Sequence, residues 1–126
     1  MIKEVLDKKS DLLHGEGVSR KEIREAEKQL GLKFNSEYKE YLLNYGIAAY
    51  NGHEITGLSL DKRTNVVDCT LEELKEEYPK DIYVIERTGM DGVIIWQSID
   101  GKIYYSSDNS PLTKYCESLS EYFLKY

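Results

Sequence analysis

Apolar positions keep a helical period through the first third of the chain and shift to a strand-like period after it. Ile2, Val5, Leu6 and Leu13 stand at helical spacing over residues 2 to 13, and "HGEG" follows as a stop. The next segment has complete start chemistry. Ser19 suits an N-cap, Glu22 completes an S-x-x-E capping box, and Val18 with Ile23 is placed as a hydrophobic staple. Ile23, Ala26, Glu27 and Leu30 share the stripe of this second helix, and Gly31 suits the position just past its end. "FNSE" opens a third helix whose face is Tyr38, Tyr41, Leu42 and Tyr45, with Gly46 ending it.

Beyond Gly46 the pattern predicts "HEITGLSL" (53 to 60) as a first strand. "TLEELKEEYP" reads as a short helix, with Thr70 and Glu73 as a second capping box and Pro79 closing it. "DIYVIER", "GVIIWQS" and "KIYYSS" are rich in β-branched and aromatic residues and predict strands, the last two joined through Asp100-Gly101, a strong hairpin signal. "SLSEYFLKY" closes the pattern as a helix with a third box, Ser118 and Glu121, burying Leu119, Tyr122 and Phe123. N-terminal helices and a C-terminal helix packed around a mainly antiparallel sheet make the class α+β. There is no internal repeat, and Pro79 and Pro111 mark loops, so residues 1 to 126 read as one domain.

Glu27 breaks the pattern. A carboxylate within a buried stripe must be hydrogen-bonded, paired, or displaced in pKa. A structural acceptor tying the second helix to nearby backbone N–H groups is the physical expectation, with the loop after Tyr45 as a plausible donor.

Composition adds limits. With 40% hydrophobic and 32% charged residues the 126-residue chain can bury a real core, and it is too apolar for disorder. No apolar run approaches the roughly 18 residues of a membrane span. "MIKEVLDKKSD" mixes acids with lysines and lacks an apolar signal-peptide core, which predicts a cytoplasmic protein without membrane partners. Cys69 and Cys116 read as reduced thiols; with His14 and His53 they show no metal-ligand spacing, so no metal or other cofactor is expected.

Charge changes the picture more. The net charge is −6, yet residues 1 to 45 hold nine basic and nine acidic side chains, so the whole excess lies after residue 45. Between 68 and 86, Asp68, Glu72, Glu73, Glu76, Glu77, Asp81 and Glu86 face only Lys75 and Lys80. Such a field repels nucleic acid and draws basic partners. Glu72/Glu76 and Glu73/Glu77 would be like-charge pairs on one short helix, either a solvated face or a contact face for a cationic partner.

No catalytic residue is expected. G-x-S-x-G, H-E-x-x-H and a P-loop are missing, "GEG" at 15 to 17 follows a helix, and His14 and His53 read as solvated turn residues. Eleven tyrosines against two phenylalanines and one tryptophan favour interfaces or wet core edges. Tyr38, Tyr41, Tyr45 and Tyr122 fall on predicted helix stripes and belong to the core. Tyr50 in "AAYNGHE", and one of Tyr104 and Tyr105, are interface candidates; Trp96 is core unless a sheet face is left open. The partner-binding candidates are Tyr50, Glu54, Glu72, Glu73, Glu76, Glu77 and Asp91.

I-x-x-A-E-x-x-L-G-x-x-F followed by "SEYKEYLLNYG" resembles the SUKH superfamily, which holds bacterial immunity proteins and the yeast Smi/Knr-type cell-wall regulators. Ile23, Ala26, Glu27, Leu30, Gly31, Tyr38, Leu42 and Gly46 carry the likeness. Members typically have Pro after the apolar residue of the joint and Gly-Gly after the third helix, where this chain has Asn35 and Ile47. "YVIERTGMDGVIIW", the hairpin and "ESLSEYFL" follow in family order. The resemblance implies a non-enzymatic domain that binds and neutralises a cognate protein toxin, often a nuclease with a basic surface, in the producer's cytosol. The alternative it implies is a regulatory scaffold of the Smi/Knr type. Those relatives carry disordered extensions, whereas this chain has almost nothing beyond the domain, which favours immunity. Ser19, Glu22, Glu27, Gly31 and Gly46 then belong to the structural motif, and the tyrosine-rich faces leave a homodimer open.

Overall fold

The computed structural model describes residues 2–108 and 110–126. Among these, helices α1 (Ile2–Leu6), α2 (Arg20–Leu30), α3 (Ser36–Tyr45), α4 (Val66–Glu73) and α5 (Leu119–Lys125) surround two antiparallel sheets. The smaller sheet runs β1 (Leu13–His14), β2 (Ala48–Tyr50), β3 (His53–Ile55). The larger runs β4 (Ile82–Arg87), β5 (Ile94–Ser98), β6 (Ile103–Ser107), β7 (Ser110–Cys116). The class is α+β, as the sequence pattern predicts.

The front of the chain follows its pattern closely. Ser19 Oγ accepts from the Glu22 N–H and Glu22 returns a carboxylate oxygen to the Ser19 N–H, closing the predicted box. Gly31 ends α2 with φ 68°, a left-handed geometry natural to glycine. Gly46 has φ 72° and ψ −52°, and the Ile47 N–H reaches the Tyr45 carbonyl at 2.7 Å, making a tight γ-turn. A Cβ there would also lie 2.3 Å from the Glu16 carbonyl oxygen, so the position excludes other residues twice over. Asn35, at the place where proline is typical, caps α3 by accepting from the Glu37 N–H.

Glu27 is buried, and its Oε2 accepts from the Phe34 N–H at 2.8 Å with Lys39 Nζ 3.5 Å away. The donor is thus the joint between α2 and α3 and not the loop after Tyr45. Gly31 and Leu32 turn the chain back so that Phe34 arrives beside the carboxylate seven residues earlier. Glu37 plays a matching part at the other end of the core, accepting from the Leu119 N–H at 3.0 Å and from the Ser120 hydroxyl at the start of α5.

Two apolar clusters occupy opposite faces of the larger sheet. One gathers α1, α2, α3 and α5 with Tyr83, Ile85, Ile95 and Ile103. The other packs Cys69 of α4 on Ile82, Val84 and Trp96. Trp96 is fully buried and donates Nε1–H to Ser106 at 2.9 Å, so it is core and no anchor.

Departures from the pattern lie at the very start of the chain and, for the most part, after Gly46. The first helix stops at Leu6, and Leu13 sits exposed on β1 opposite Ala49. The strand expected over 53 to 60 shrinks to His53–Ile55, and β2 precedes it across an Asn51-Gly52 turn, with both residues at positive φ. Tyr50 therefore ends a strand and is buried, where a turn position had suggested exposure. Asn65 caps the start of α4, its Oδ1 accepting from the Val67 N–H. Thr70 is internal and buried, and its hydroxyl accepts from the Val84 N–H at 2.9 Å, so the expected Thr70–Glu73 box is not formed. Helix α4 ends at Glu73, which leaves Glu76 and Glu77 in the following turn and removes the supposed i,i+4 repulsion. β7 contains Pro111, tolerated because the strand is an edge. At α5, Ser118 caps as expected, but the Glu121 carboxylate reaches the Glu117 N–H instead of closing the box.

Candidate functional site

A register shift in β4 builds the site. Val84 opposes Trp96 while Glu86 opposes Ile95, which places one extra residue, Ile85, in the strand. Strict alternation would put Glu86 with Val84 on the α4 side. The bulge instead sends Ile85 and Glu86 in succession to the side of α5, and Arg87 returns to the α4 side.

Glu86 is buried, accepting from the Tyr122 hydroxyl and standing 2.9 Å from His53 Nδ1. It forms one wall of a cleft of about 770 Å³. The β2–β3 turn (Asn51, Gly52, His53), the β4–β5 loop (Met90, Asp91) and Tyr105, Tyr115, Tyr122 and Tyr126 complete the walls, over Val93 and Ile95. The rings interlock. Tyr126 lies 4.3 Å from the His53 ring and 5.2 Å from Tyr122, and its hydroxyl is 2.7 Å from that of Tyr115. The Asn51 side chain holds the Tyr126 carbonyl at 3.1 Å.

No lysine or arginine lines this cleft, whereas Glu86 and Asp91 do. Burial, then the Glu86 charge, raises the phenol pKa of Tyr122 far above its ordinary value. Tyr126 is pushed up to about 12, by burial first and then by the Tyr115 hydrogen bond, with Glu86 adding to it. Tyr50, behind the His53 ring at 5.8 Å, is raised by the same two causes, burial before Glu86, and its buried hydroxyl has no hydrogen-bond partner among the described residues. All these tyrosines are neutral phenols at physiological pH.

A carboxylate–imidazole pair can orient a proton acceptor, yet no serine or cysteine lines the cleft, and the Thr88 hydroxyl is bonded to the Val93 carbonyl at 3.0 Å. Among the described residues no group of three or more His, Cys, Asp or Glu side chains could hold a metal ion. No helix among the described residues is long and apolar enough to cross a membrane.

The sequence-predicted contact residues are scattered. Asp91 is exposed on the cleft rim at φ 52°. Tyr50 lies behind the wall, and Glu54 is exposed on β3 outside it. Glu72 and Glu73 are on the opposite face, where Arg87 pairs with both at 2.8 and 3.4 Å. Half of the acidic run is thus partly neutralised in place. Sequence reasoning missed Glu86, His53, Tyr115 and Tyr126. The one local signal was Asn51-Gly52, a hairpin dipeptide just before the predicted strand, which pairs His53 with Tyr50 across the turn.

A second groove, of about 620 Å³ beside α2, has Lys21, Arg24, Lys28 and Lys33 on its walls around Glu27. Its carboxylate is already met by Lys39 and the Phe34 N–H, so it offers little unmet chemistry.

Fold and cleft together define an α+β protein built on an N-terminal helix pair, a four-stranded antiparallel sheet and a tyrosine-walled recess. The chain belongs to the SMI1-KNR4 cell-wall family, SUKH_5, whose family model matches residues 1–126. No curated protein matches it by sequence.

Proposed function

We propose that this chain is an immunity protein that binds a cognate protein toxin with a basic surface and neutralises it in the producer's cytosol. The observation that carries the reading is the cleft itself: exposed tyrosines and Met90 around an anionic, lysine-free recess. Tyr and Met are enriched at protein interfaces, and deep aromatic pockets are where binding energy concentrates. Membership of the family supports a protein-binding role over catalysis. The excess acid after residue 45 adds attraction for a basic partner such as a nuclease.

Co-expression with the gene lying immediately upstream tests the reading. The neighbour should arrest a host cell alone, and this protein should restore growth and co-purify with it. A harmless or non-binding neighbour would contradict it. Within that experiment Glu76 and Glu77, exposed and beyond α4, act on encounter only. Reversing both to Lys should slow association by roughly two- to tenfold at low salt and leave dissociation unchanged.

The family's designation as cell-wall favours a second reading, a regulatory scaffold of the Smi/Knr type. A harmless neighbour combined with a stable complex recovered by pull-down would support it.

A further inference from the structure

The cleft around Glu86 combines three features that point to one ligand chemistry. Four tyrosines line it, it has a buried carboxylate, and none of its lining residues is a lysine or arginine. Aromatic faces attract cations through their quadrupoles, and a carboxylate in a partly dry recess attracts them more strongly than one in water. The chain's own lysines already respond to these rings. Lys125 Nζ stands 5.3 Å from the centre of Tyr115, and Lys9 Nζ 4.9 Å from that of Tyr50 behind the wall. Lys9 is held there by the Phe123 carbonyl at 2.7 Å and Lys125 lies at the outer edge, so neither is a wall of the recess.

Glu86 retains capacity. An ionised carboxylate offers about four acceptor sites, and the Tyr122 O–H and the His53 Nδ1–H occupy only part of that. The bulge in β4 is what sends this charge into the cleft, and bulges of that kind recur where a side chain is re-aimed at a binding site.

We propose that the cleft receives an arginine side chain of the protein partner, its guanidinium stacked on the tyrosine walls and hydrogen-bonded to Glu86. Arginine fits better than lysine for physical reasons. Tyr105 and Tyr115 stand edge to face, at 88° with centroids 6.1 Å apart, so its plane can stack on one ring while the other borders its edge, and its five donors can reach a carboxylate and phenol oxygens together. It is also less strongly hydrated than an ammonium, so it enters a recess floored by Val93 and Ile95 at lower cost. At about 770 Å³ the space holds this side chain with its flanking backbone. The Glu86–His53–Tyr122 cluster is then an anchor for a single hot-spot residue, and the acidic surface elsewhere acts on encounter.

This inference rests on reading the cleft as the partner-binding face, but it is testable without the partner. Nα-acetyl-arginine methylamide would be titrated into the folded chain while backbone amide and His53 imidazole signals are followed by NMR. The expected result is saturable millimolar binding with shifts centred on His53, Met90, Asp91 and Tyr126. The citrulline analogue, equal in shape but neutral, and the lysine analogue should each bind at least tenfold more weakly. Glu86→Gln, which keeps an acceptor for Tyr122, should lose at least tenfold. Tyr115→Ala should lose several-fold with Glu86 untouched, which keeps the test open should the Glu86 variant fail to fold. Absent saturation, equal binding of citrulline or lysine, or shifts centred beside α2 would each overturn the proposal. If the chain takes arginine but rescues no cell, the immunity reading falls and the site stands. If it rescues cells but ignores the probe, the reverse holds.

Discussion

Glu27 and Glu86 are both buried carboxylates, and they differ in who answers them. Glu27 is met by the backbone N–H of Phe34, seven residues on, and by Lys39 in the adjoining helix. Glu86 is met by His53 and Tyr122, from 33 and 36 residues away, and its cleft contains no strong cation. The first completes a joint. The second holds a negative charge at the wall of an open recess. A buried acid with a local backbone donor is architecture; one held by distant side chains in a cation-free recess is available for recognition.

Substitution at Glu27 is the strongest way to break the comparison. Glu27→Ala leaves the Phe34 N–H buried without a partner, and should cost about 2–3 kcal/mol in chemical denaturation. Glu27→Gln keeps an acceptor and should cost roughly 1 kcal/mol or less, with partner binding intact. Glu86→Gln should behave the opposite way. Its fold should survive with a loss near 1 kcal/mol, while affinity for a partner drops at least tenfold, about 1.4 kcal/mol.

Asn35 sharpens the architectural half. It caps α3 while its own N–H donates to the Tyr83 hydroxyl at 3.0 Å, a bond that proline could not make. Asn35→Ala should lose about 1 kcal/mol by thermal melting and leave binding unchanged.

Asp7 gives the smallest effect and a pH signature. The Tyr45 hydroxyl, 2.6 Å away, and then Lys3 hold this exposed carboxyl below the usual carboxylate range. A depressed folded value stabilises the fold above about pH 4 and loses that contribution as pH falls through the folded value. Asp7→Asn should therefore be less stable than the parent at pH 7, with the gap closing below about pH 4 in parallel melts.

The same contrast explains what was legible. Ser19, Glu22, Gly31 and Gly46 act on neighbours within a few residues, so local pattern found α2, α3 and their joint. Glu27 was recognisable as buried because helical period placed it there, although its donor was not. Glu86 could not be read this way. In a six-residue strand every position but Arg87 is buried, and the bulge that re-aims Glu86 exists only through pairing with β5. His53 and Tyr126 meet across 73 residues, a distance that periodicity does not span. The partner of the acidic run was hidden for a related reason: Arg87, 15 and 14 residues further on, pairs with Glu72 and Glu73.

One measurement tests the central claim most directly: calorimetric affinity of the captured partner for the parent chain, Glu27→Gln and Glu86→Gln side by side. The account predicts that Glu27→Gln binds like the parent and that folded Glu86→Gln binds at least tenfold more weakly. Equal affinity for all three, or a loss confined to Glu27→Gln, would contradict it.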